Sequence, residues 1–277
     1  MPLIQFGGFS VGDGQPLLLI AGPCVVTSLD EVLSNARRLK ALCAGRELNL
    51  VFKASLDKAN RTNTEGYRGP GVAEGLRMLA AVKRELSLPV ITDVHESAQV
   101  AEVAEVVDVL QIPAFLCKQT DLVLAAARTG KALNIKKGQF LAPEDMRGVL
   151  QKTSSVGNAN VLLTERGAAF GYHNLVVDMR GLQQMRALGA PVCMDATHAV
   201  QRPGTLPGGR NSGERQYVAP LARAAAAVGI DALFCEVHED PAKAPSDGDN
   251  ACDFPLLERV IDEVLAIRKA VGGVPRA

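Results

Sequence analysis

Short apolar, β-branched runs alternate along this chain with amphipathic stretches of helical period. The runs are Leu17–Cys24, Leu50–Ser55, Pro89–Val94, Val109–Phe115, Ala132–Lys137, Asn160–Arg166, Pro191–His198 and Ala232–His238. In the first intervening stretch, Leu29, Val32, Leu33, Ala36, Leu39 and Leu42 fall on one helical face, with Arg37, Arg38 and Lys40 on the other. Thr27, Ser28 and Asp30 open that helix, with Glu31 placed where a negative charge meets the positive helix end. Gly130, Gly189 and Gly229 each follow a helical stretch, where a left-handed cap residue is needed. Strand–helix alternation implies a parallel sheet with crossover helices. The number of units predicts the α/β class, as a single closed (β/α)8 TIM barrel over residues 1–277; a doubly wound open sheet is the alternative. The first ten residues, with Gly7-Gly8, precede strand one and are expected to cap the barrel bottom.

Composition narrows the function. The 277 residues are 47% hydrophobic and 22% charged, enough apolar side chain for a sizeable core. Thirty Lys and Arg balance thirty Asp and Glu. That balance argues against a general nucleic-acid or membrane-surface binder, while leaving room for a local basic pocket. The N-terminus lacks a basic start followed by an apolar run, and no stretch approaches membrane-spanning length. The cysteines at 24, 43, 117, 193, 235 and 252 are scattered without a CxxC. They read as reduced thiols of a cytoplasmic protein.

Polar residues on apolar strands carry the candidate chemistry. Lys53 and Ser55 share a strand face, as do Asp93 and His95, and Glu236 and His238. Lys136 and Arg166 lie at or near the ends of strands five and six, and Asp195 and His198 close strand seven. A charge on a barrel strand is costly to bury unless it is paired. One such residue is explained by a structural ion pair; so many at the same end of successive strands imply a shared polar cavity. Three long connections, Leu56–Gly69, Ala199–Ser212 and Glu239–Asp253, crowd that same end, where barrel active sites are built. The middle one is rich in Gly and Pro and is a lid candidate. Lys53, Lys58, Arg61, Lys136 and Arg166 suggest binding of one or two phosphorylated ligands, although no glycine-rich phosphate motif is present. Cys24, His198, Glu236 and Asp247 form a mixed thiolate, imidazole and carboxylate set suited to Fe²⁺, Zn²⁺, Co²⁺ or Mn²⁺. The competing reading of Cys24 is a buried small hydrophobe. His95 and His238 are either further ligands or hydrogen-bonded rim residues.

Several segments then form a recognisable series. Phe52-Lys53-Ala54-Ser55-Leu56-Asp57-Lys58-Ala59-Asn60-Arg61, with Tyr67-Arg68-Gly69-Pro70-Gly71, resembles the 3-deoxy-D-manno-octulosonate 8-phosphate synthase family. So do Ile91-Thr92-Asp93-Val94-His95-Glu96, Gln111-Ile112-Pro113-Ala114-Phe115-Leu116 and Asn134-Ile135-Lys136-Lys137-Gly138-Gln139-Phe140. Glu165-Arg166-Gly167, Phe170-Gly171-Tyr172, Asp195-Ala196-Thr197-His198 and Ser246-Asp247-Gly248 complete the set. The Lys-Ala-Asn-Arg string separates this family from the related heptulosonate 7-phosphate synthases, which carry Lys-Pro-Arg near that place.

The resemblance implies a (β/α)8 barrel, usually a homotetramer, that condenses phosphoenolpyruvate with D-arabinose 5-phosphate and water on the route to lipopolysaccharide. It implies that Lys53, Ser55, Lys58, Gln111, Ala114, Lys136 and Arg166 surround phosphoenolpyruvate. It implies likewise that Asn60, Arg61 and Thr62 hold the arabinose phosphate, with Asp93 near its hydroxyls. Family members commonly carry Ser at Thr62, so the hydroxyl is retained. The metal-independent branch carries Asn where this chain has Cys24; Cys24, His198, Glu236 and Asp247 match the four ligands of the metal-dependent branch. Lys136, His198 and Asp247 are the expected catalytic residues, and the choice of proton relay between His198 and Asp247 stays open. The Arg202–Gly213 stretch and the residues after Asp247 depart from the usual family sequences. The rival readings are another phosphoenolpyruvate-condensing synthase and a noncatalytic sugar-phosphate sensor.

Overall fold

The computed structural model describes residues 3–59, 66–206 and 211–272. Its frame is eight parallel strands, each followed by a helix. The strands are β1 (Leu17–Gly22), β2 (Leu48–Lys53), β3 (Val90–Asp93), β4 (Val109–Ile112), β5 (Ala132–Lys136), β6 (Val161–Glu165), β7 (Val192–Asp195) and β8 (Ala232–Glu236). Each pairs with its successor, and β8 closes on β1 in the register Ala232↔Leu18 to Glu236↔Gly22. The helices are α1 (Leu29–Cys43), α2 (Val72–Leu86), α3 (Val100–Val106), α4 (Thr120–Arg128), α5 (Met146–Ser154), α6 (Arg180–Arg186), α7 (Val218–Val228) and α8 (Phe254–Ala270). The closed barrel is therefore borne out; seven of the eight apolar runs contain a whole strand, and β2 begins at Leu48, two residues before its run. Several runs extend past the strand that they contain. Cys24, Ser55, Phe115, His198 and His238 lie beyond the barrel strands, with only isolated parallel bridges, Val25 to Ser55 and Val237 to Cys252, among the rim turns.

Alternation along the strands builds two apolar layers. Leu17, Leu19 and Ala21 of β1 face outward and pack with helix residues such as Val32, Leu39 and Ile261. Leu18 and Ile20 face inward with Val51, Ile91, Val109, Leu162, Cys193 and Phe234. The expected helix signals also appear. The Ser28 hydroxyl accepts the Glu31 amide at the start of α1, and Gly130, Gly189 and Gly229 all have positive φ. Helix α2 ends differently, with Ser87 in the left-handed region at φ 53°.

The N-terminal extension is an antiparallel hairpin of Ile4–Phe6 and Phe9–Val11. Ile4, Phe6 and Val11 belong to the inner apolar cluster. The Gln5 backbone N–H donates to Asn160 Oδ1, immediately before β6. The hairpin thus stoppers the N-terminal end of the barrel, as expected, and leaves the opposite end for polar side chains. At that opposite end β1 and β2 approach closely: a Cβ at Gly22 would lie 1.9 Å from the Lys53 carbonyl oxygen. Phe6 is wholly buried in the stopper. Phe6→Ala is expected to lower the unfolding free energy by roughly 3–5 kcal/mol in a denaturant titration. A loss below about 1 kcal/mol would mean the hairpin lies outside the cooperative core.

Candidate active site and metal-ligand cluster

The C-terminal ends of the strands surround a cavity of about 1060 Å³. Its lining includes Lys53, Ser55, Lys58, Asp93, Gln111, Ala114, Lys136, Arg166, His198, Glu236 and Asp247. These candidates come from seven of the eight strands or the turns that follow them. Asn60, Arg61 and Thr62 lie outside the described residues.

Burial forces the charges into pairs. Lys53 Nζ donates to Glu236 Oε1 at 2.8 Å and to the Cys24 carbonyl at 3.0 Å. Lys58 Nζ donates to Ser55 Oγ at 3.1 Å and stands 3.9 Å from Glu236 Oε1. Burial alone would push the Glu236 carboxyl up; the charges of Lys53, His198 and Lys58 outweigh it and hold the group well below the usual carboxylate range. Across the cavity, Lys136 Nζ donates to Asp195 Oδ2 at 2.6 Å and lies 3.8 Å from the centre of the Phe234 ring. Burial lowers the Lys136 ammonium from its ordinary value, with the Asp195 charge opposing. A desolvated ammonium of this kind gives up a proton more readily than a surface lysine.

Cys24, Glu236 and Asp247 each place a ligand atom within 4.8 Å of the other two. Cys24 Sγ donates to Asp247 Oδ2 at 3.1 Å. Burial, followed by the Glu236 charge, pushes the Cys24 thiol far up, so without a cation it stays protonated. Glu236 Oε2 is buried and has no hydrogen-bond partner among the described residues. An orphaned carboxylate oxygen beside a thiol and a second carboxylate fits a divalent cation. Asp247 itself is held in the left-handed backbone region at φ 54°.

His198 stands beside this group and outside it. Its Nδ1 lies 2.8 Å from Asp195 Oδ2, and its Nε2 lies 3.5 Å from Glu236 Oε1. The Nε2 edge is thus aimed at the cluster while Asp195 fixes the ring. His238, expected to share a face with Glu236, does not line the cavity. The strand ends at Glu236, and beyond it His238 turns away to Glu31 at 3.1 Å. His95 pairs with Asp93, Nε2 to Oδ2 at 3.1 Å.

One residue of the cavity has no strand pattern to announce it. Gln201 lies beyond β7, where Gly and Pro interrupt periodicity. Its Oε1 accepts from Arg166 Nη2 at 2.6 Å, and its Nε2 donates to Asp247 Oδ1 at 2.7 Å. It therefore ties a cation of the cavity wall to the acidic cluster. Arg166 Nη1 and Asp93 Oδ1 are buried without partners among the described residues, and both belong to residues lining the cavity. Such atoms are where a polar ligand is held.

Residues 3–269 match the model of the DAHP synthetase I family. The chain belongs to that family. Its relatives include proteins named 2-dehydro-3-deoxyphosphooctonate aldolase. That of Synechococcus sp. is 57% identical over 263 residues, covering 95% of this chain and 92% of that protein. That of Cyanothece sp. is 56% identical over 262 residues, 95% of this chain and 96% of that protein. That of Geobacter sp. (strain M21) is 54% identical over 267 residues, 95% and 97%. Within the DAHP synthetase I family, the resemblance carried by the Lys-Ala-Asn-Arg string thus points to the same relatives as the whole-chain comparison.

The Asp93–His95 pair has a testable pH signature. Burial opposes the charged imidazolium, but the hydrogen bond and charge of Asp93 raise His95 above its ordinary 6.5. Because the folded value is the higher one, the pair's contribution to stability is complete below pH 6.5 and is lost as pH rises through the His95 value. Asp93→Asn is expected to lower the His95 midpoint in an NMR titration; an unchanged midpoint would show that Asp93 does not set it.

Proposed function

We propose that this chain is a 3-deoxy-8-phosphooctulonate synthase, a transferase condensing phosphoenolpyruvate with D-arabinose 5-phosphate and water. The observation that carries the reading is the convergence of Lys53, Lys58, Lys136 and Arg166 from β2, β5, β6 and their following turns on one cavity. Two polyanions repel each other. A wall of fixed cations offsets that repulsion and orients the pair before reaction. The family and the names of the relatives give the same direction. One barrel spanning the chain would be the whole catalytic unit.

In this mechanism C3 of phosphoenolpyruvate bonds to the aldehyde carbon of the sugar phosphate. The aldehyde oxygen takes a proton, water adds at C2, and the C2–O bond breaks as inorganic phosphate departs and a ketone forms. Lys53, Ser55, Lys58, Gln111, Arg166 and the backbone at Ala114 hold phosphoenolpyruvate. Lys136, with its lowered ammonium pKa, stabilises the carboxylate and stands ready to donate a proton. Asn60, Arg61 and Thr62 take the sugar's phosphate, and Asp93 its hydroxyls. His198 or Asp247 relays the proton from water; both line the cavity.

The reading extends to the metal-dependent branch, with Cys24, His198, Glu236 and Asp247 as ligands. The clustered thiol and carboxylates and the orphaned Glu236 Oε2 support this. When bound, a divalent ion (Fe, Zn, Mn or Co) supplies positive charge for orienting the aldehyde or lowering the pKa of a water. A homotetramer is proposed with it. Phe115, Phe140, Phe170 and Tyr172, on turns after β4, β5 and β6, leave aromatic surface exposed that a subunit contact would cover. A cytoplasmic location fits the six free thiols. No described helix is long and apolar enough to cross a membrane, and neither a membrane nor a nucleic acid is a proposed partner.

Incubation with phosphoenolpyruvate and arabinose 5-phosphate is expected to release inorganic phosphate. Faster release with erythrose 4-phosphate in place of the pentose would reassign the chain to heptulosonate synthesis. No release with either sugar would favour a sensor. Stripping with a strong chelator is expected to abolish turnover, and Cys24→Ser to weaken metal affinity in a direct titration while the fold is kept. Undiminished activity in the stripped protein would remove the metal assignment.

A further inference from the structure

Directly beneath Lys136, the inner face of the barrel carries polar residues where the layer below is apolar. Gln111 on β4, Asn134 on β5 and Thr164 on β6 all point inward, two residues above Val109, Ala132 and Leu162 of the inner apolar cluster. Asn134 and Thr164 are wholly buried and line no part of the cavity; Gln111 lines it. Thr164 Oγ1 lies 2.5 Å from Asn134 Oδ1, and Asn134 Nδ2 lies 2.9 Å from Gln111 Oε1. The barrel register sets these neighbours, with Gln111 directly opposite Asn134.

The polarity of this chain decides what Gln111 shows to a ligand. An amide can be turned end for end, so the direction must come from something fixed. The spacing supplies it. A separation of 2.5 Å suits a hydroxyl donating to a carbonyl oxygen and is short for an amide N–H donor. Thr164 therefore donates, and Asn134 receives on Oδ1. Cys193 of β7 is the register partner of Thr164 on its other side. With its oxygen occupied, Asn134 turns its NH2 to Gln111, whose Oε1 must accept. Gln111 Nε2 then has no hydrogen bond among the described residues, and no bond joins it to Asp93, its register partner on β3.

We propose that Asn134 is a positioning residue for anion binding: backed by Thr164, it locks the Gln111 amide so that its NH2, and not its carbonyl, faces the anionic part of phosphoenolpyruvate. The inference rests on the functional reading above in taking an anion to bind beside Gln111. A glutamine free to rotate would present its carbonyl to the same anion part of the time. The buried chain removes that choice before the ligand arrives, which is how a neutral amide becomes a dependable donor. Neither Asn134 nor Thr164 touches the ligand in this scheme.

The test measures phosphoenolpyruvate binding by calorimetry without the sugar, inorganic phosphate binding as a second probe, and the Michaelis constants of both substrates. Thr164→Val removes the donor at nearly constant volume, and Asn134→Asp removes the NH2. Each is expected to weaken phosphoenolpyruvate by about tenfold, the scale of one hydrogen bond to a charged group. The Michaelis constant of the sugar phosphate should stay within about twofold. Thr164→Ser keeps the hydroxyl and should bind like the unaltered protein. Equal losses for both substrates, equal losses in Thr164→Ser and Thr164→Val, or unchanged binding in Thr164→Val would overturn the proposal. If Asn134→Asp fails to fold, the Thr164 pair decides alone. Should the unaltered protein bind phosphoenolpyruvate but release no phosphate, the functional reading fails, and the binding measurements still judge the role of Asn134. Absence of binding by either anion would sink both.

Discussion

Glu236 is a wholly buried carboxylate, and much of the cavity is arranged around satisfying it. One of its oxygens faces Lys53 and, farther off, Lys58 and His198. The other has no partner among the described residues. Losing one member of a buried pair of this kind costs about 3–5 kcal/mol, because the remaining charge is stranded. The arrangement holds in both directions. Lys53, Lys58 and Lys136 would repel one another without the acids between them, and the acids would protonate without the lysines. Glu236 and Asp195 thus hold the cations in place before an anionic ligand arrives. Preorganisation here is the condition under which the barrel mouth can fold at all.

The barrel was legible because two periodicities agree over its whole length. Apolar runs count out the strands, intervening stretches repeat at helical spacing, and glycines such as Gly130 and Gly189 mark helix ends through positive φ. Run lengths were less informative. His198 and His238 continue an apolar pattern but lie beyond the barrel strands, because rim turns are also half buried. Ser55 lies beyond its strand too, yet it lines the cavity with Lys53, whereas His238 reaches Glu31 instead of the cavity that Glu236 lines. Past a strand end, alternation alone does not say which side chains enter the cavity.

Site residues on strands could be read from charge against an apolar background, as with Lys53, Asp93 and Lys136. Those in turns needed the family resemblance: Cys24 looks like any small buried hydrophobe until Asp247 and Glu236 are placed beside it. Gln201 escaped both routes. It sits in a Gly- and Pro-rich connection, and its two hydrogen bonds to Arg166 and Asp247 exist only once three distant segments meet. Asn134 sits in a family-like segment with no signal of its own. Its consequence depends on which neighbour donates and which accepts, and a sequence does not carry that information.

The left-handed turn at Asp247 also limits what this protein can become. Side chains other than glycine pay about 1–2 kcal/mol to sit there, and aspartate and asparagine, whose short polar groups bond locally, tolerate it best. The neighbouring Gly248 is equally confined, since a Cβ there would fall 2.2 Å from the Pro241 carbonyl oxygen. Drift at this corner is therefore channelled toward swapping an acid for its amide. Replacement by glutamate would carry the full cost of the left-handed backbone. Backbone shape in this corner works as a filter on heredity, restricting the donor chemistry that descendants of this barrel can try.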